Sequence, residues 1–223
     1  LLKIDGIMES SIQLLTDKLQ QFCKALEQEF LQISGQRKEA LQELSDYLLQ
    51  KLSAQETPQV IVICTHNSRR SHIGQLWLAI GADYFELPTI QTYSGGTEAT
   101  AFDFRVVKAF RRVGVRIATT DLTASNPVYQ VSWNNQMKPY KAFSKAYQSA
   151  PNPTKDFAAV MVCTEADAGC PVVSGCDFRL ALPYADPKMF DDTDREEDAY
   201  NERVHQIGRE ILFVLHQVKL GLA

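Results

Sequence analysis

No run of apolar residues in this chain is long enough to cross a bilayer. The longest is Phe157–Cys163, against the about 20 residues that a helical span needs. No charged-then-apolar leader with a small-residue cleavage site opens the sequence, which begins at Leu1. A secretory signal is therefore not visible, and a cytoplasmic location with no membrane partner is expected. A basic surplus is missing too. The chain has 23 Lys and Arg against 27 Asp and Glu, a formal net charge of −4, which argues against nucleic acid as the main partner. Cysteine is sparse and odd in number, five in 223 residues. A chain of this length can bury a core without covalent staples. Reduced, buried or reactive thiols are therefore expected rather than a disulfide framework.

With 45% apolar and 22% charged side chains, the composition is that of a globular protein and excludes disorder. The length allows one domain with an extra part. Residues 7–52 contain no proline and are rich in Leu, Gln, Glu and Lys. Leu15, Leu19, Phe22, Leu26, Phe30 and Ile33 recur at steps of three and four, and Leu41, Leu44, Leu48 and Leu52 form a second such face after Ser34-Gly35. This periodicity predicts a helix pair over about 7–33 and 36–53, and a boundary between an N-terminal extension (1–57) and a main domain (58–223). Two readings of the pair stand: a cap packed on the chain's own core, or an arm for homodimerisation or for binding a partner. The absence of sustained heptads favours the cap.

From Gln59 onward, strands and helices alternate. Val60–Ile63 is a short, wholly apolar run, as expected of a buried parallel strand. Further strands are predicted at Ile90–Tyr93, Ala158–Cys163 and near Phe178–Leu182, and helices at Ser71–Ile80, Phe104–Val113 and Glu196–Val218. The pattern predicts an α/β fold of three layers: a four-stranded parallel sheet with helices on both faces. In such sheets reactive residues lie beyond the carboxyl ends of the strands, here just after Ile63, Val162 and Leu182. Residues 121–156 interrupt the rhythm with Tyr129, Trp133, Tyr140, Phe143 and Tyr147 interleaved with Lys138, Lys141 and Lys145. Such an insertion is either a recognition flap or a loop and hairpin packed on the surface, and the surface hairpin is the simpler expectation.

The segment after the first strand carries the chemistry. Cys64 is followed six positions later by Arg70, a spacing that chance supplies in roughly one such chain in four. Context makes it informative, because the Cys ends a buried strand and the loop leads directly into a helix opened by Ser71. A loop at a helix N-terminus aims several N–H groups at one point, and the helix dipole adds to them. A tetrahedral oxyanion fits there, with Arg70 as a two-pronged clamp. The same field stabilises a thiolate and makes Cys64 a nucleophile. Asn67 suits the left-handed backbone that a tight loop needs, and Ser71 can donate to the sulfur. Thr65, His66, Ser68 and Arg69 complete the expected substrate-binding loop.

The segment from Cys64 to Ser71 resembles the phosphate-binding loop of the low-molecular-weight protein tyrosine phosphatase superfamily, to which thioredoxin-coupled arsenate reductases belong. Tyr93–Ala99, Arg105–Val115, Ala185-Asp186-Pro187 and Tyr200–Val218 resemble further segments of that superfamily, so about 160 residues are covered. Residues 1–57 and 121–156 are not. The resemblance implies that Asp186, on a loop stiffened by Pro187, protonates the leaving oxygen. Asp191, Asp192 and Asp194 read as solvated turn and helix-start acids.

Cys163 and Cys170 separate the two activities of the superfamily. A phosphatase needs one thiolate, whereas arsenate reduction needs two electrons from thiols acting in sequence. The resemblance implies that Cys64 attacks arsenate, that Cys163 attacks Cys64 and releases arsenite, and that Cys170 attacks Cys163. The final disulfide would be left for thioredoxin as external reductant, with no bound cofactor. Arsenate reductase is the leading reading and phosphatase the alternative. Cys23 lies on the apolar stripe and reads as core, and Cys176 has no matching role.

Several departures from the family pattern bear on this. His66 stands where Gly is usual and Arg69 where a second Cys is common. Gln75 stands where some arsenate reductases carry an acid that organises potassium, so potassium at Asn67 and Ser94 is not supported. Lys188-Met189-Phe190 follows the Asp-Pro where tyrosine phosphatases favour aromatic residues. Cys163, Cys170 and Cys176 lack the short spacing of a zinc knuckle even with His205 or His216, so no metal is expected. An interaction module that merely retains the pocket is disfavoured by the intact Cys64, Arg70 and Asp186.

Overall fold

The side chains of Val60 to Cys64 are all buried, without alternation, because their strand lies inside a sheet covered on both sides. The computed structural model describes residues 15–134, 138–169 and 172–223. Four parallel strands form the main sheet: β1 (Gln59–Cys64), β2 (Gln91–Gly96), β6 (Phe157–Met161) and β7 (Cys176–Ala181), in the order β2-β1-β6-β7. A second sheet of three antiparallel strands joins β3 (Arg116–Ala118), β4 (Tyr129–Ser132) and β5 (Tyr140–Ala142). The helices are α1 (Asp17–Gln28), α2 (Gly35–Ser53), α3 (Arg70–Tyr84), α4 (Phe104–Arg112), α5 (Thr164–Gly169) and α6 (Glu196–Leu222). The chain is thus α/β, with a four-stranded parallel sheet flanked by helices and two helices ahead of it. Among the described residues no helix is long and apolar enough to cross a membrane.

The pleat of β1 decides where its carboxyl end points. Successive side chains alternate between faces, so Val62 and Cys64 share the face that meets α3. There Gly74 leaves room for Val62, whose Cγ1 lies 2.9 Å from where a Cβ would stand. Trp77, one turn further along α3, donates its indole N–H to the Val204 carbonyl of α6 (2.9 Å). Phe22 of α1 stacks on the same ring at 5.9 Å.

The N-terminal helices share this core. The Thr16 hydroxyl caps α1 by accepting from Leu19 N–H (3.4 Å) and donates to the Gly114 carbonyl (3.1 Å). This cap places the helix start at Asp17, and the predicted residues 7–14 lie outside the described residues. The first helix ends at Gln28, and a 3-10 turn (Phe30–Gln32) replaces its predicted last turn. Leu19, Cys23 and Leu26 are fully buried. Burial pushes the Cys23 thiol up to about 12, as fits a core thiol. In α2, Ser45 donates to the Leu41 and Val214 carbonyls, and Arg37 donates from Nε to Glu210 Oε2 of α6 at 2.7 Å. The guanidinium of Arg37 also lies 4.6 Å over the Tyr184 ring.

Two expectations are corrected here. Strand β2 does not stop at Tyr93 but runs on to Gly96, because Gly95 and Gly96 pair in register with Ile63 and Cys64. Residues 121–156 do contain the expected hairpin, the antiparallel pair β4 and β5, but it is not laid on the surface. Tyr129, Val131 and Trp133 are buried, and the segment's end, Ser144 and Lys145, is buried beneath the loop after β1. The physical reason is backbone pairing. Gly96 N–H donates to the Lys145 carbonyl and Tyr147 N–H to the Gly96 carbonyl, both at 2.9 Å, which extends the sheet edge with this segment.

Glu210 is 3% exposed, so its carboxylate depends on Arg37 for compensation. Arg37→Met is expected to destabilise the protein by about 3–5 kcal/mol, because it leaves a buried charge unpaired. The double variant Arg37→Met/Glu210→Met should recover most of that loss. Urea unfolding of the three proteins measures both effects.

Candidate oxyanion site

The loop from Cys64 to Arg70 is built around Asn67. Its backbone is left-handed (φ 44°), a conformation Asn tolerates better than most residues, and its side chain is fully buried. The amide Nδ2 donates to Ser71 Oγ (2.9 Å), and Oδ1 accepts from Lys145 N–H (2.8 Å). Ser71 Oγ lies 3.0 Å from Cys64 Sγ. Because the hydroxyl oxygen accepts from Asn67, its hydrogen is free to donate to the sulfur.

The loop can pass this close to β2 only because residue 96 is glycine. A Cβ there would stand 2.2 Å from the Glu98 carbonyl oxygen and 2.7 Å from Asn67 N. The Thr65 carbonyl accepts from Glu98 N–H (3.0 Å) and Thr97 Oγ1 (3.1 Å). The His66 carbonyl accepts from the Ser144 (3.0 Å) and Thr100 (3.1 Å) hydroxyls. With these carbonyls bonded outward, the loop meets the start of α3, a helix of 15 residues whose N-terminus favours an anion.

Arg70 is 7% exposed and bridges to the loop after β7. It donates from Nη1 to the Tyr184 carbonyl (2.9 Å) and from Nη2 to Asp186 Oδ2 (2.7 Å). The other Asp186 oxygen accepts from Lys188 N–H (3.1 Å), which caps the 3-10 turn Pro187–Phe190. Arg70 and Asp186 thus meet, and Tyr184 links them to Arg37 of α2 through the ring contact already described.

Cys163 is fully buried just beyond β6. Its Sγ lies 3.4 Å from Thr65 Oγ1, on the residue next to Cys64. The juxtaposition follows from register: Ile63 pairs with Met161, and Val162 N–H donates to the Ile63 carbonyl (2.8 Å). Cys170 lies outside the described residues. Cys176 opens β7 opposite Phe157, at the amino end of the sheet. At about 3.3 Å per residue it stands roughly 20 Å along the strands from Cys163, so these two thiols share no site.

The remaining loop residues divide. Ser68 contributes its carbonyl, which accepts from Asp103 N–H (3.0 Å). His66 turns to solvent and meets Glu98 at 3.4 Å. Arg69 is held away by three partners: Asp103 (2.8 Å), Asp191 (3.2 Å) and the Tyr200 hydroxyl, which accepts from Nε (2.7 Å). Asp191 is therefore not a solvated turn acid. It also accepts from the Tyr200 hydroxyl (2.7 Å) and faces Arg105 (3.7 Å). Its neighbour Asp192 has a side chain 88% exposed, as the sequence suggests.

Sequence reasoning did not single out Ser144, Lys145, Tyr184, Asp103 or His72. The only signal for Lys145 was the aromatic and basic mixture around it. His72 follows Ser71, is fully buried, stacks on Phe102 (4.0 Å between centroids) and lies with Nδ1 3.3 Å from Ser94 Oγ. Burial, helped by the Lys145 charge, holds its imidazole well below the ordinary histidine range, so it is neutral.

No protein-family model matches this chain, and no curated protein sequence matches it either. In structure it is similar to a low molecular weight phosphotyrosine phosphatase from Vibrio cholerae O395. The identity is 13% and the TM-score 0.42, over 74% of this chain and 94% of that one.

Ser71→Ala removes the hydroxyl facing Cys64. Alkylation of Cys64 by iodoacetamide at neutral pH is expected to slow roughly tenfold, the worth of one hydrogen bond to a charged group. A rate equal to that of wild type, read by mass spectrometry of the Cys64 peptide, would exclude this role. His72 gives a pH prediction. The unfolded chain takes up this proton near 6.5, whereas the folded chain resists it. Stability therefore falls as pH drops below about 6.5, by up to about 1.4 kcal/mol per pH unit. His72→Phe keeps the stack on Phe102 and should flatten that part of a denaturation profile.

Proposed function

We propose that this chain is an arsenate reductase that uses Cys64 as nucleophile and Cys163 as the second thiol. The observation that carries this reading is the 3.4 Å contact between Cys163 Sγ and Thr65 Oγ1. It sets a second, fully buried thiol one residue from the nucleophile, where hydrolysis alone would have no use for it.

In the proposed cycle arsenate enters the loop and competes with Asp186 for Nη2 of Arg70. The released Asp186 carboxylate takes up a proton from solvent and passes it to the departing arsenate hydroxyl, which leaves as water, while Cys64, as thiolate, forms the sulfur–arsenic bond. Cys163, as thiolate, then attacks Cys64 Sγ. A sulfur–sulfur bond forms, the sulfur–arsenic bond breaks, and its electron pair reduces arsenic from the +5 to the +3 state, released as arsenite. Two thiols have supplied two electrons. Attack of Cys170 on Cys163 frees Cys64 as thiolate, and an external dithiol of the thioredoxin type reduces the Cys163–Cys170 disulfide. A Gly-containing link of seven steps between these two cysteines suits such an exchange.

A second reading is phosphomonoester hydrolysis through a phosphocysteine. It is favoured by the partial exposure of the Asp186 side chain, 29%, which lets the same carboxylate meet the water that the hydrolytic step requires.

Arsenate-dependent oxidation of reduced thioredoxin and hydrolysis of 4-nitrophenyl phosphate, each with wild type, Cys64→Ser, Cys163→Ser and Cys170→Ser, separate the two. Loss of arsenate turnover in all three variants is expected, with a trapped Cys64–Cys163 disulfide in Cys170→Ser. Full arsenate turnover in both Cys163→Ser and Cys170→Ser would exclude the relay. Ester hydrolysis that depends on Cys64 alone, with no arsenate turnover in wild type, would establish the second reading.

A further inference from the structure

A cleft of about 560 Å³ opens between α3, the outer edge of β2 and the 121–156 segment, and no residue of the oxyanion loop lines it. Its volume falls in the range of small-molecule sites. From α3 it takes Gln75, Ala79, Ala82 and Asp83, which the helical repeat places on one face over about 12 Å. Trp133 and Tyr140 of the segment supply aromatic walls.

Two residues of this cleft, each more than nine-tenths buried, carry a polar group without a partner among the described residues. Lys145 is 7% exposed and Gln75 3% exposed. Gln75 donates through Nε2 to the Thr92 carbonyl (3.0 Å) and the Tyr140 hydroxyl (2.5 Å), while its Oε1 accepts nothing. The Lys145 ammonium has no carboxylate or hydrogen-bond acceptor among the described residues. It lies 4.9 Å from the centre of the Phe143 ring.

The groups around Lys145 do not neutralise it. From α3, His72 is neutral, and Asp83 accepts from the Trp133 indole (2.6 Å) at the far end of that face. Tyr93 and Tyr140 are held in the phenol form by burial, and exposed Lys141 adds a further positive charge. Burial brings Lys145 itself down to about 8, so it remains mostly charged at neutral pH. A buried cation and a buried unpaired acceptor both carry a desolvation cost that a matching ligand would remove.

We propose that this cleft is a binding site, separate from the oxyanion loop, for a small aromatic acid whose carboxylate pairs with Lys145 and whose N–H donor bonds Gln75 Oε1. Either reading of the loop leaves this inference unchanged, because none of the residues it uses is a proposed catalytic group.

Titration calorimetry with 4-aminobenzoate tests it. One equivalent is expected to bind wild type at pH 7, in the presence of saturating inorganic phosphate as well as in its absence. Lys145→Met should weaken binding at least about tenfold, the worth of a lost charged hydrogen bond, while its urea midpoint equals or exceeds that of wild type. Benzoate, which lacks the donor, should bind more weakly, and 4-aminobenzyl alcohol, which lacks the charge, should not bind. In wild type the affinity should fall as pH rises past about 8, since the ammonium that pairs with the carboxylate is then lost. The proposal is overturned by absence of saturable binding, by equal affinity in Lys145→Met, by equal affinity for the alcohol, by displacement with phosphate, or by a flat pH profile.

Discussion

Asn67 is where the separate parts of the structure meet. Its left-handed backbone turns the chain from β1 into α3, its amide nitrogen fixes Ser71, and its amide oxygen fixes the backbone of Lys145. One neutral side chain thereby shapes the loop, sets the hydroxyl that faces Cys64, and anchors the segment that closes the sheet edge. No charge is used, so the positive field of the helix start stays available for an anion. Gly96 gives this turn the room it needs.

The arginines around the site have different duties, decided by what surrounds them. Arg69 is occupied by Asp103, Asp191 and Tyr200 and fastens the loop to α4 and α6. Arg37 compensates Glu210 and lies over Tyr184, so an N-terminal helix supports the loop that carries Asp186. Among the described residues Arg70 bonds only one carboxylate oxygen and one carbonyl. Two neighbouring residues of the same type thus differ in surroundings: among the described residues Arg69 pairs with two carboxylates and Arg70 with one.

Much of the fold was legible in the sequence. The unbroken apolar run at Val60–Ile63 marked a buried strand, and the three- and four-residue steps of Leu19 to Leu26 and Tyr200 to Leu215 marked helices, because burial of one face imposes those periods. Cys64, Asn67, Arg70 and Ser71 were legible because a strand, a tight loop and a helix start follow one another within eight residues. The path of residues 121–156 was not legible. Its aromatic and basic residues carry no single period, and its role rests on backbone pairing with Gly96, which no side chain announces. Asp191 was misread for a related reason: a turn carboxylate looks the same in sequence whether water or arginine faces it.

The sequence by itself determined the elements and the order of the candidate site residues, since these depend on side chains a few positions apart. Only the tertiary structure decided the partners. Lys145 reaches Asn67 across 78 residues, Asp186 reaches Arg70 across 116, and Cys163 reaches Thr65 across 98. Those meetings depend on strand order and register, which arise from the packing of the whole core rather than from any local pattern. The buried Lys145 shows the difference most sharply: in the sequence it is one lysine in a basic stretch, and in the fold it is a cation held in a cleft with no counter-charge among the described residues.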